Sequence, residues 1–363
     1  MSRYLQTALT DALGCRYPIV QTAMGWVADA NLVIASTQAG AFGFLAGATI
    51  AADQLEAQIQ RVIEATGCSN FGLNFHMFQE NAARCVDLAI EYRLRAVSYG
   101  RGPDRHTIDR FKAAGVLCIP TVGALKHAIK AVELGADMIT VQGGEGGGHT
   151  GGVPSTILLP QVLDAVQVPV IAAGGYCSGR GLAGALASGA AGIAMGTRFL
   201  MTKESPTPSA TLERYVKVKD PQQIRVTLAV DGMRHRMIEN AFINRLEKAS
   251  AFGRLRIALS SAWQWKQQTG MSLGHMLGVF AQSVKEDPSA LSQTVMAANQ
   301  PVLLQRSMVE GVPDEGILPS GQVAAAIGEL ISCQQLIDDM VHEAEGCLKA
   351  VSQRAEKQRC AEV

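Results

Sequence analysis

From residue 17 to about residue 200, short apolar runs rich in Val, Ile and Ala alternate with longer segments whose apolar residues recur at helical spacing. Eight runs read as strands: Tyr17–Gln21, Ala41–Leu45, Phe71–Phe75, Ala96–Tyr99, Val116–Pro120, Met138–Gln142, Pro169–Ala172 and Gly192–Met195. They begin roughly 20 to 30 residues apart, which leaves room in each interval for the crossover helix that parallel strands require. Between the second and third runs, for example, Leu55, Ile59, Val62 and Ile63 fall on one face of a helix.

Eight successive β/α units predict a closed TIM (β/α)8 barrel. A doubly wound sheet produces the same alternation, and the count of eight favours closure. The pattern stops near Leu200, and the turn-rich stretch Lys203-Glu204-Ser205-Pro206-Thr207-Pro208-Ser209 marks a boundary. From Thr202 to Asn299 the chain reads as long polar helical stretches with few strand-like runs. The predicted organisation is a barrel over 1–204, completed by 318–363, with a helical substrate-side region over 205–317. The end of the chain reads as helix and becomes highly charged after Gln353, so its last ~10 residues are expected to fray.

Composition narrows the function. The 363 residues are 48% hydrophobic, and 32 Lys+Arg balance 32 Asp+Glu, so no excess positive charge drives nucleic-acid binding. Apolar stretches are broken by Gly, Pro or charge before they reach the ~20 residues that span a bilayer, so no membrane segment is expected. Eight cysteines without a C-x-x-C pair, behind a start lacking a basic-then-apolar leader, point to a reduced cytoplasmic protein without structural zinc. No metal is expected, and a homo-oligomer is left open.

Ligands of such barrels lie at the carboxyl ends of the strands, and the unusual residues fall there. After the first strand, Gln21-Thr22-Ala23-Met24-Gly25-Trp26 would let a flat ring approach the backbone, although an ordinary turn reads the same way. After the sixth comes Gln142-Gly143-Gly144-Glu145-Gly146-Gly147-Gly148-His149-Thr150-Gly151-Gly152, with seven glycines in eleven residues. Ligand proximity accounts for this run better than packing does, and a flexible linker is the plainer competitor. His149 is its candidate general base, since imidazole suits proton abstraction near neutral pH. Ala172-Ala173-Gly174-Gly175 and Ala194-Met195-Gly196-Thr197-Arg198 can both present backbone N–H groups to a phosphate. Neither a G-x-G-x-x-G fingerprint after the first strand nor a G-x-x-x-x-G-K-[ST] loop is present, which leaves a barrel-bound phosphate such as that of FMN. His235, between Arg234 and Arg236, reads as an anion contact or, more commonly, as part of a solvated basic turn. Cys177 reads as an inert thiol.

These motifs resemble the nitronate monooxygenase (2-nitropropane dioxygenase-like) family of FMN-dependent TIM barrels. The resemblance is carried by Pro18 through Met24, by Gln142 through His149 with its E-x-G-G-H core, by Ala172 through Gly175, by Met195-Gly196-Thr197-Arg198-Phe199 and by Ser320-Gly321-Gln322. It implies FMN contacts from Met24, Gly25, Asn74, Gln142, Gly147, Gly175, Ala194, Met195, Gly196 and Thr197, with His149 as the base. Two features depart from the pattern: Gly146 stands where the family often has Ala, and the 205–300 region is long. Over nearly its whole length the chain is more similar to one branch of the family, flavoproteins of bacterial sterol ring degradation that act on a bicyclic hydrindanedione carboxyl-CoA thioester. The closer match is carried by Gln21 through Val27, Gln142 through Gly151, Val230 through Arg236 and Val295 through Asn299. That branch implies dehydrogenation or reduction of a bicyclic β-keto acyl-CoA; Arg234, Arg236 and Arg245 would suit the anionic nucleotide end of such a substrate, since guanidinium groups bind phosphates well, with His235 beside the first two. The alternatives are a nitronate monooxygenase oxidising alkyl nitronates with oxygen, and an enoyl or quinone reductase using NAD(P)H, which would add NAD(P) as a cofactor.

Overall fold

The computed structural model describes residues 4–77, 79, 81–100, 102–250 and 299–361, with scattered positions between 251 and 298. Eleven strands occur among them: β1 (Ile19–Gln21), β2 (Phe42–Leu45), β3 (Gly72–Phe75), β4 (Ala96–Tyr99), β5 (Leu117–Val122), β6 (Ile139–Gln142), β7 (Gly148–His149), β8 (Val170–Ala173), β9 (Gly192–Met195), β10 (Ile224–Thr227) and β11 (His235–Ile238). The strands β1 to β6, β8 and β9 close into a parallel barrel, the last joined to the first by Ile19↔Ile193, Val20↔Ala194 and Gln21↔Met195. These are the eight predicted strands, shifted at their ends by a few residues. The predicted helix after β2 spans Ala52–Thr66 and buries Leu55, Ile59 and Val62, with Ile63 packed beside them.

The chain divides into two compact units, one of residues 1–146, 151–206 and 329–363, the other of residues 147–150 and 207–328. The first contains the barrel and the helix Cys333–Ala361. That helix crosses Gly179, the first residue of the helix Gly179–Ala187, so closely that a Cβ there would lie 2.3 Å from the Met340 carbonyl and 2.6 Å from the Ala344 nitrogen. The side chains beyond Arg354, where fraying was expected, lie outside the described residues.

The second unit, read from the sequence as mainly helical with few strand-like runs, contains a small sheet among its described residues. Its centre is the antiparallel sheet β10-β11-β7, with Ile224↔Ile238 and Thr227↔His235 pairing the first two strands. On β11 His235, Met237 and Ile238 are buried while Arg236 is half-buried, and on β10 Ile224 and Thr227 are buried while Arg225 and Val226 are half-buried, so the arginines disguise the apolar positions in the sequence. Ala229, Val230, Met237, Ile243, Leu246, Leu303 and Ile317 form the core of this unit. Most of 251–298, including Val295 through Ala298, lies outside the described residues. Among the described residues no helix is long and apolar enough to cross a membrane.

The crossing at Gly179 yields a stability test. Gly179→Ala forces two backbones apart and is expected to cost about 1–3 kcal/mol, measurable by denaturant unfolding of the full chain.

Candidate active site

The barrel strands are buried and apolar, but their carboxyl ends are almost bare of side chains. Seven of the eight are followed within four residues by a glycine, namely Gly25, Gly47, Gly100, Gly123, Gly143, Gly174 and Gly196. The exception is β3, which carries Asn74; its Nδ2 donates to the Ser98 carbonyl at 3.0 Å. Gln142 ends β6, Ala194 and Met195 end β9, and Gly196 and Thr197 open the short helix Thr197–Leu200. A Cβ on Gly196 would lie 3.5 Å from Met24 Sδ. The barrel thus brings Met24, Gly25, Asn74, Gln142, Gly175 and Ala194 through Thr197 to its strand ends. Strand ends rich in glycine, several of them half-buried, fit a flat heteroaromatic ring carrying a phosphate.

The glycine run has more than one cause. Glu145 does not face a ligand alone: its carboxylate accepts from the Ser155 amide at 3.1 and 3.0 Å and from the Ser155 hydroxyl at 2.9 Å, capping the helix Ser155–Ala165. Gly147 belongs to the second unit, where a Cβ would meet the Gly321 nitrogen and Ser320 carbonyl carbon at 2.5 Å. Packing of backbone on backbone therefore explains part of what ligand proximity alone was expected to explain.

Within the second unit, β7 places His149 opposite His235, and Gly148 opposite Arg236. The Thr150 amide continues this ladder to the Arg234 carbonyl at 3.1 Å. His149 Nε2 lies 2.6 Å from Asp231 Oδ2, and the other oxygen of Asp231 accepts from the Met233 amide at 3.0 Å. Asp231 is 1% exposed while the His149 side chain is 39% exposed, so a buried acceptor holds a reachable imidazole. Burial by itself would raise the Asp231 carboxyl; the hydrogen bond and charge of His149, the Met233 amide and His235 outweigh it and hold the group below the usual carboxylate range. Asn299, fully buried, donates to the carbonyl of Val230 at 3.0 Å and fixes the loop just before Asp231.

His235 is not part of a solvated basic turn. It is 1% exposed, and its ring stacks on that of His149 with centroids 4.6 Å apart and planes 29° from parallel. Burial, then the neighbouring His149 charge, push its pKa down to about 3 despite Asp231, so this imidazole is neutral near pH 7. Arg234 is exposed and Arg236 half-buried. Asp231 and Asn299 were not singled out from the sequence. Asp231 stands 82 residues from His149, and only the pairing of β7 with β11 joins them.

A closed eight-stranded parallel barrel with backbone-lined strand ends defines a TIM-barrel enzyme. The chain belongs to the nitronate monooxygenase family, whose model matches residues 6–85 and 77–343, and it is a flavin-dependent oxidoreductase. It is 44% identical over 340 residues, 94% of this chain and 96% of the relative, to the (3aS,4S,5R,7aS)-5-hydroxy-7a-methyl-1-oxo-octahydro-1H-indene-4-carboxyl-CoA dehydrogenase of Rhodococcus jostii (strain RHA1). The Mycobacterium tuberculosis (strain ATCC 25618 / H37Rv) protein of the same description is 44% identical over 353 residues, 96% of this chain and 98% of that one. Among solved structures, FabK from Thermotoga maritima superposes with a TM-score of 0.77 at 27% identity, covering 96% of this chain and 99% of that one.

The histidine cluster sets an acid limit on stability. His235 titrates near 6.5 when unfolded and about 3 when folded, so the unfolded chain binds more protons between those values. Its contribution is complete above the unfolded value and lost as pH falls toward the folded one. His149 and Asp231 are the titratable groups that face it. Thermal melts are expected to drop steadily below about pH 6.5, and His235→Phe should remove that part of the slope.

Proposed function

We propose that this protein is an FMN-dependent dehydrogenase of a bicyclic ring carboxyl-CoA thioester, with His149 as the base that removes the proton from the carbon bearing the thioester. The observation that carries this reading is the hydrogen bond from His149 to the buried, ionised Asp231. With Nε2–H donated to the carboxylate, Nδ1 would be the atom that takes the proton. Asp231 then faces the positive charge that forms on the ring, a favourable pairing away from water. His235 backs the other face of the imidazole and adds no charge, so its part is support of His149 rather than contact with an anion.

Bound FMN would accept the hydride from the carbon next to the one deprotonated, leaving a carbon–carbon double bond conjugated with the thioester. The barrel residues Met24, Gly25, Asn74, Gln142, Gly175 and Ala194 through Thr197 would hold the cofactor.

The near full-length similarity to the two dehydrogenases supports the substrate class. Their named substrate carries a hydroxyl beside the thioester-bearing carbon and its ketone on the other ring, so a β-hydroxy thioester fits this reading better than the β-keto thioester expected from the sequence. Arg234, Arg236 and Arg245, all in the second unit, would meet the phosphates of CoA. The described cysteines are free thiols, in keeping with a reducing, cytoplasmic setting. The family match favours a second reading, oxidation of alkyl nitronates, in which the same base would serve a carbon activated by nitrogen.

Anaerobic mixing of the flavin-loaded protein with each substrate separates the two. Bleaching of the flavin absorbance by the ring carboxyl-CoA thioester is expected; bleaching by an alkyl nitronate alone would establish the second reading instead. Asp231→Asn is expected to lower kcat by about 10²–10⁴-fold with little change in KM, and His149→Ala by at least as much. Replacing Arg234 and Arg236 with Glu should raise KM for the CoA thioester and spare a pantetheine thioester without the nucleotide. An unchanged KM would remove both arginines from the substrate site.

A further inference from the structure

Arg198 is a buried cation that the barrel does not neutralise. It follows Thr197 in the short helix after β9 and is 5% exposed. Its Nη2 donates to the carbonyls of Met201 at 3.0 Å and Glu329 at 3.4 Å, and its Nε has no partner. Among the described residues no carboxylate forms an ion pair with it. The Glu329 carboxylate acts on it only from beyond ion-pair distance, and that residue is exposed.

The other groups that interact with it are the thiols of Cys177 and Cys333. Burial pushes both thiols up, Cys333 to about 12, so neither is an anion at neutral pH. A guanidinium in this setting keeps its proton and bears a desolvation cost that two carbonyls offset only in part.

The position of this charge indicates what it serves. Cys177 lies in the loop after β8 and Arg198 in the segment after β9, the two places from which barrels of this kind hold phosphate. The same two loops carry Gly175, which is exposed, and Gly196, while Gly174 packs against the backbone of Gly143.

We propose that Arg198 supplies the fixed positive charge by which the barrel selects a flavin ending in a phosphate monoester over one ending in a hydroxyl. The guanidinium stays on its carbonyls and acts on the dianion through a medium of low dielectric, where a unit charge is felt over several ångströms. This inference rests on the assignment of FMN above.

The test compares two ligands on the full chain freed of flavin, with FMN and riboflavin titrated separately and binding followed by flavin fluorescence. The wild-type protein is expected to prefer FMN. In Arg198→Gln the FMN-to-riboflavin affinity ratio should fall by about tenfold or more, with riboflavin affinity nearly unchanged. Arg198→Lys, which keeps the charge, should retain most of the ratio. A wild-type ratio that survives in Arg198→Gln overturns the proposal. If that variant does not fold, loss of the ratio in a folded Arg198→Lys overturns it as well. A wild-type protein that does not distinguish the ligands contradicts the FMN assignment itself, a separate outcome.

Discussion

The hydrogen bond between His149 and Asp231 is the constraint around which the second unit is arranged. A carboxylate that is 1% exposed survives only where its charge is met, and here the imidazole meets one oxygen and the Met233 amide the other. The pair exists only if β7 lies in register with β11, since a slip of one residue would turn His149 to the opposite face. Gly147 allows that register by admitting the backbone of Ser320 and Gly321, and Asn299 holds the loop that carries Asp231. Stacked behind, His235 fills the space with a ring too deeply buried to take a proton near neutrality.

The barrel unit solves a different problem. Its strands are short, almost wholly buried and free to be apolar, so rigidity comes from the closed sheet and the helices packed on it. Bulk is then withheld from the strand ends, where glycine follows seven of eight strands within four residues. Among the described residues, the Glu145 carboxylate after β6 is held by Ser155, and the Arg198 guanidinium after β9 is buried on the carbonyls of Met201 and Glu329.

The barrel was legible because its signal is local and repeated: eight apolar runs at regular intervals, each followed by a helix-spaced segment. The glycines that end the strands were legible as a pattern in the sequence, since one follows seven of the eight strands within four residues. The small sheet was missed because β10 and β11 have four residues each, and Arg225 and Arg236 interrupt their apolar pattern. Asp231 was missed for a deeper reason, since nothing local marks a carboxylate whose partner lies 82 residues away. His235 was misjudged on the same ground: flanking arginines suggest solvent, whereas alternation along β11 turns the histidine inward. Glu145 shows the converse, a charged residue inside the glycine run whose carboxylate caps a helix.

The central claim is that Asp231 fixes His149 in one tautomer, with the proton on Nε2 and the lone pair on Nδ1. Nitrogen NMR of the full-length protein labelled at its histidines reads this directly, with His149→Gln used to assign the resonance. A protonated Nε2 and an unprotonated Nδ1 are expected for His149, with that signature lost in Asp231→Asn. A proton found on Nδ1, or a His149 spectrum indifferent to Asp231→Asn, would contradict the account.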